Sequence, residues 1–179
     1  MHRSGSHTAS PHNSTVLAVA AFRWIFRGMA TGTPTYVIVT HVAAAPADVF
    51  RFLSVPENHR RINASVSSVT KTAEEQTWVL SARHQFCCVS YNIRTSAVFH
   101  ADESKQSVEI QAAASGVRVR HVYSCATGSL PGTTSVAHEV FISVPCLLRC
   151  FQGYTIRTAR SSHEAADKEL GVLPASAFA

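Results

Sequence analysis

Residues 36–63 read YVIVTHVAAAPADVFRFLSVPENHRRIN, and the rest of the chain can be arranged around them. Tyr36 to Val42 is an apolar, β-branched run with the composition of a strand. Small residues at Ala43 to Ala45 break it. Pro46 then opens a short helix, where its missing N–H costs nothing, and Val49, Phe50, Phe52 and Leu53 give that helix an apolar side. Pro56 opens a second, more polar helical turn that ends near Asn63. The order expected is strand, short helix, short helix.

After Asn63 the apolar period changes to two, the spacing of half-buried strands. The expected strands are Val66 to Thr72, Gln76 to Phe86, Cys88 to Ala101, Ser107 to Ala114, Val117 to Cys125 and Val136 to Val144. The fifth alternates most cleanly, with Val117, Val119, His121, Tyr123 and Cys125 on one face against Arg118 and Arg120 on the other. Every connection from Thr72 to Ser135 is short. Short connections imply antiparallel hairpins in a meander, because a parallel crossover needs a dozen residues or more.

Pro145 marks the start of a long helix, and Gly171 is placed to stop it. Leu147, Cys150, Phe151, Tyr154 and Thr158 form one stripe at helical spacing. Gly153 is a weak point inside it. A helix of that length spans about 39 Å and a ten-residue strand about 33 Å, so helix and sheet can lie along one another. The fold class is therefore α+β: a bent antiparallel sheet of about seven strands around a long C-terminal helix.

Composition narrows the function. Of 179 residues 46% are hydrophobic and only 15% charged, enough for a sizeable core. The formal charge is +5, but residues 1–35 hold Arg3, Arg23 and Arg27 and no acid. The basic excess lies mostly there, so the domain carries no nucleic-acid footprint. The expected division is an extension at 1–35, a domain at 36–171 and a tail at 172–179. Residues 1–14 have the composition of a disordered segment, and the apolar run from Val16 to Phe26 is too short for a bilayer. Arginine-containing and acid-free, the extension also has transit-peptide composition, and MATGTPTY from Met29 reads as a natural start. Five cysteines without a paired framework fit a reducing compartment. The expected location is the cytoplasm, with mitochondria the alternative if residues 1–28 are a transit peptide. Cys146 and Cys150 lack a second pair at ligand spacing and read as buried small hydrophobes. No metal and no cofactor are expected.

The stretch THVAAAPADVFRFLSVPENHRRIN, with GTTSVAHEVFISVP near the end, resembles the START-like, Bet v 1-like superfamily, which includes polyketide cyclase and dehydratase relatives. Ala45, Pro46, Val49 and Phe50 match its first helix, Pro56, Glu57, Asn58 and His59 its following turn, and Gly132 and Thr133 lead its last strand. The similarity covers about Tyr36 to Leu170. Where the family commonly has an aromatic after the turn, this chain has Arg60, Arg61 and Ile62. The resemblance implies a helix-grip fold with a mostly apolar cavity between sheet and long helix. It also implies that the second helix closes the cavity mouth differently here.

The side chains expected to line that cavity are Trp78, Tyr91, Phe99, His121, Tyr123 and His138 from strands, with Phe151 and Tyr154 from the helix. A one-residue slip would turn any of these strands inside out. His121 and His138 are the candidates for chemistry. Inward histidines on neighbouring strands can orient a carbonyl or act as a general base, and satisfied core histidines are the competing reading. The three tyrosines can donate to a ligand or simply pack. No nucleophile elbow, P-loop, dinucleotide-binding glycine pattern or H-E-x-x-H motif is present. The leading expectation is a module that binds a hydrophobic small molecule or lipid. The alternatives are a cyclase- or dehydratase-type enzyme using the two histidines, and a co-chaperone-like domain that binds a protein partner.

Overall fold

The computed structural model describes residues 32–178 apart from 87–88, 115, 147–149 and 151, and at 84–86 and 89–91 the backbone alone. The expectations for residues 1–31, Cys87, Cys88, Leu147 and Phe151 fall outside the described residues, as does the Tyr91 side chain. Seven strands form one sheet: β1 (Tyr36–Val42), β2 (Val66–Lys71), β3 (Thr77–Phe86), β4 (Val89–Asp102), β5 (Ser107–Ala114), β6 (Val117–Thr127) and β7 (Thr134–Ser143). The helices are α1 (Pro46–Ser54), α2 (His59–Ile62) and α3 (Gln152–Val172), with a 3₁₀ turn at Pro56–Asn58 between the first two. The spatial order is β1-β7-β6-β5-β4-β3-β2, and every neighbouring pair is antiparallel. Strands β2 to β7 are the expected meander. β1 closes on β7, and the α1–α2 connection carries the chain from one sheet edge to the other. Among the described residues no helix is long and apolar enough to cross a membrane.

The register decides which side chains share the inner face. One row across the sheet is Tyr36, Val140, His121, Ile110 and Phe99. The next is Ile38, His138, Tyr123, Val108 and Ala101. A third carries Trp78, Ala97, Ala112, Val119 and Ile142. Val108, Val136, Val140 and Ala97 are fully buried there. Against them α1 sets Val49, Phe52 and Leu53, the i, i+3, i+4 spacing of one helix face. Arg118 and Arg120 lie on the opposite face, as the alternation requires. Arg120 pairs there with Glu109 at 3.0 Å and covers the Phe141 ring.

The long helix departs from expectation at its start. It is described from Gln152, 21 residues long, while Cys146 and Cys150 carry 3₁₀ geometry, and both thiols are exposed rather than buried. Cys125, on β6, is the buried one, and burial pushes its thiol up to about 11. A stripe counted from Leu147 passes through Cys150, which is 3₁₀ and not α-helical, so its angular phase does not carry over. The side turned inward holds Ile156, Ala159, His163, Ala166, Asp167 and Leu170, and Thr158 is exposed. Gly171 does not stop the helix, which continues to Val172.

Gly171 has another role. A Cβ built on it meets Thr40 Cγ2 at 3.0 Å and the His41 carbonyl oxygen at 3.3 Å, whereas one on Gly153 meets nothing within 4 Å. The bare glycine lets α3 lie directly on β1. Gly171→Ala should therefore destabilise by about 1 kcal/mol despite the better helix propensity of alanine. Gly153→Ala should stabilise by about 0.5–1 kcal/mol. Urea midpoints of the two variants, moving in opposite directions, check both.

The departure at Arg60, Arg61 and Ile62 also finds its place. Ile62 is buried in the core, and the Arg61 guanidinium sits 5.3 Å over the Phe52 ring. Phe178 packs edge-on with the same ring, 5.1 Å away and 4% exposed. Phe178, within the segment expected as a tail, is thus seated on α1.

Candidate functional site

α3 runs alongside β1. Tyr36 reaches His163, and four residues later Thr40 meets Gly171. Eight helical residues rise about 12 Å and four strand residues about 13 Å, so the two elements stay in step. This alignment brings the inward side of α3 over the two histidine-bearing rows of the sheet.

His121 and His138 lie on adjacent strands but not directly opposite. His121 faces Val140, and His138 faces Tyr123. The diagonal separation is within reach of aromatic side chains, and His121 Nδ1 meets His138 Nε2 at 3.0 Å. His138 continues the chain. Its Nδ1 lies 2.7 Å from Asp167 Oδ2, with both side chains almost completely buried. A carboxylate oxygen accepts, so Nδ1–H of His138 donates to it, and Nε2 of a neutral His138 accepts from Nδ1–H of His121. The Asp167–His138–His121 chain therefore has one consistent polarity. It is the same second-group logic by which a carboxylate fixes the tautomer and orientation of an imidazole in acid–base sites.

His163 stands beside this chain, its ring 4.8 Å from that of His121 and edge-on to it. Its Nδ1 is 2.6 Å from the Tyr36 hydroxyl. Tyr123 stacks on His138 with centroids 4.0 Å apart. One ring nitrogen from each of His121, His138 and His163 falls within 4.8 Å of the others.

Burial dominates the electrostatics. It holds His121 well below the usual imidazole range, with His163, His138 and His59 adding repulsion. Burial, and then His138, brings His163 down to about 3. The phenols move the other way: burial first and Asp167 second raise both Tyr36 and Tyr123. At neutral pH, His121 and His163 are neutral bases and the two tyrosines are intact donors. His59, which opens α2, is a further imidazole and is buried. It donates Nε2–H to the Leu53 carbonyl at 3.0 Å and packs its ring against Phe99, and burial lowers it to about 4.

Of the side chains proposed from sequence, His121, Tyr123, His138 and Phe99 come together on the inner face. Trp78 shares that face, half-buried, its ring 5.2 Å from Phe99. Tyr154 is 49% exposed, off the inward side of α3. His163, Asp167, Tyr36 and His59 are members that sequence reasoning did not find. The signal for two of them was present: positions 163, 166, 167 and 170 follow the i, i+3, i+4, i+7 pattern, with polar residues on an otherwise apolar side.

Not every polar group in this interior is satisfied. Asp167 Oδ1 and Trp78 Nε1 are buried with no hydrogen-bond partner among the described residues. Buried polar atoms are nearly always paired, and each exception asks for an explanation.

The likeness to known proteins lies in the fold. No family model and no curated protein matches the chain in sequence. Among solved structures, a START superfamily protein from Mycobacterium smegmatis aligns over 75% of this chain and 97% of its own, with a TM-score of 0.52 at 13% identity. The Zhui aromatase/cyclase from Streptomyces sp. R1128 aligns over 75% and 92%, with a TM-score of 0.52 at 11% identity. Ara h 8.0201, a Bet v 1-like allergen, aligns over 75% and 95%, with a TM-score of 0.51 at 10% identity. The fold is the START-like, Bet v 1-like helix-grip fold. At these identities the likeness shows the fold alone and carries no ligand.

Proposed function

We propose that the domain binds a hydrophobic small molecule or lipid between the inner face of the sheet and α3, with a polar end group held by the imidazole cluster. One observation carries this reading. The inner face is apolar around a linked set of buried Tyr36, Tyr123, His138 and Asp167 and half-buried His121 and His163, and an Asp167 carboxylate oxygen inside it has no partner among the described residues. A purely structural network would spend its capacity internally. This one keeps some in reserve, which suits a ligand hydroxyl or carbonyl set in an apolar surround. Small helix-grip proteins among the structural neighbours, including one named as an aromatase/cyclase, make such a ligand a reasonable class to test.

The test is made on the full chain in chelator. Native mass spectrometry without detergent, followed by lipid extraction, should reveal a co-purifying hydrophobic species. A panel of lipids and aromatic polyketides should raise the melting temperature by mass action for at least one class. No bound species and no shift with any class would overturn the proposal.

The Asp167–His138–His121 chain favours a second reading, in which His121 serves as general base in a cyclase- or dehydratase-type reaction on the bound molecule. His121→Gln separates the two. Under the binding reading it leaves turnover assays blank in wild type and variant alike, and under the enzymatic reading it abolishes a measurable wild-type rate.

A further inference from the structure

Three imidazoles from three distant parts of the chain converge in the interior: His121 from β6, His138 from β7 and His163 from α3. Their sequence spacings match no local ligand motif, so sequence alone assigned no metal here. We propose that His121, His138 and His163 form a binding site for one divalent transition-metal ion of the zinc class.

Geometry supports this first. In a tetrahedral zinc site with Zn–N bonds of about 2.0–2.1 Å, two ligand nitrogens stand about 3.3 Å apart. His121 Nδ1 and His138 Nε2 are already 3.0 Å apart. The third ring lies close enough that one nitrogen of each residue is within 4.8 Å of the others. Side-chain adjustment of about 1 Å completes three vertices, and water or a ligand oxygen takes the fourth. Three neutral imidazoles without a thiolate suit zinc, copper, nickel or cobalt far better than calcium or magnesium.

The surrounding groups support it independently. A metal-bound histidine usually donates its other N–H to a carboxylate or similar acceptor, which orients the ring and raises its basicity. His138 does so to Asp167 at 2.7 Å. His163 has Tyr36 at its Nδ1 at 2.6 Å, which leaves Nε2 as the coordinating nitrogen, with Nδ1–H donating to the phenol oxygen. The protons balance. Without an ion, Nδ1–H of His121 bridges to His138. With one, that proton resides on Nε2 of His121, the ion occupies the place between the rings, and no proton leaves the cluster. Asp167 Oδ1, unpartnered among the described residues, belongs to the same carboxyl group that orients His138.

The full chain is stripped with a chelator, desalted and titrated with Zn(II) against a chromophoric competitor. Exposed histidines in general offer weak sites for zinc, so the decisive quantity is the tightest equivalent. Wild type should take up one tight equivalent, and His100→Gln, at an exposed position on β4, should keep it. His163→Gln should weaken that equivalent by more than about 100-fold, and Tyr36→Phe by roughly tenfold. Cobalt(II) added to wild type gives a reading that needs no variant, the intense visible absorption of a four-coordinate ion. A tight equivalent that survives in His163→Gln, or only the weak spectrum of six-coordinate cobalt in wild type, overturns the proposal. The site does not depend on the hydrophobic-ligand reading, whose own test is made in chelator, so each can fail alone.

Discussion

Lowering the pH from 7.5 to 4.5 should remove about 2.5 kcal/mol of stability through His59 alone. His59 is buried, and burial brings it from the usual 6.5 down to about 4 in the folded protein. Its folded value is lower than its unfolded value. Between these two limits the unfolded chain binds the extra proton, so stability rises with pH. The contribution is complete above pH 6.5 and is lost as pH falls toward 4. Of the gap between the two values about 2 pH units lie above pH 4.5, and 1.36 kcal/mol for each sets the magnitude. His163 and His121, also held neutral by burial, add in the same direction. Urea unfolding in chelator at several pH values from 7.5 to 4.5 measures the slope. His59→Gln retains a donor for the Leu53 carbonyl, loses ring packing on Phe99, and should show a slope smaller by up to one proton. A flat stability profile between pH 7 and 4.5 would refute the assignment of these imidazoles as buried and neutral.

Replacing Asp167 by alanine should cost about 3 kcal/mol, or roughly 6–12 °C in melting temperature for a domain of this size. The lost partner leaves Nδ1–H of His138 unsatisfied at 1% exposure, which costs about 1–3 kcal/mol. The lost bond was to a charged acceptor, a kind that contributes about 1.5–3 kcal/mol. Asp167→Asn keeps an acceptor at the same place and should cost markedly less. Because His121 hangs on His138, the damage spreads. A double-mutant cycle between positions 167 and 121 should show coupling above 0.5 kcal/mol although the two side chains share only His138 as an intermediate. Asp167→Ala and Asp167→Asn melting together at the wild-type temperature would show that the 2.7 Å contact contributes nothing.

The strands and the first two helices were legible because their signals are local. Alternation over Val117 to Cys125, prolines at 46 and 56, and short turns act within ten residues and survive in any tertiary context. β1 and α1 begin and end where composition changes, and the inward faces of β4, β6 and β7 follow directly from the period-two pattern. The long helix was less legible. Its phase was counted from Leu147, and the contact that sets it lies at the other end, where Gly171 rests on Thr40.

The candidate site divides in the same way. His121 and His138 could be named because each sits on an apolar face of a clear strand. That they touch was a matter of sheet register. That Asp167 and His163 join them was decided by how α3 lies along β1, a long-range packing choice that no local pattern encodes. The sequence by itself determined an antiparallel meander, an opening strand and helix pair, and two inward imidazoles. Only the tertiary structure decided that these imidazoles share a proton chain with a buried carboxylate and stand beside a third, because positions 121, 138, 163 and 167 become neighbours only when the helix is laid on the sheet.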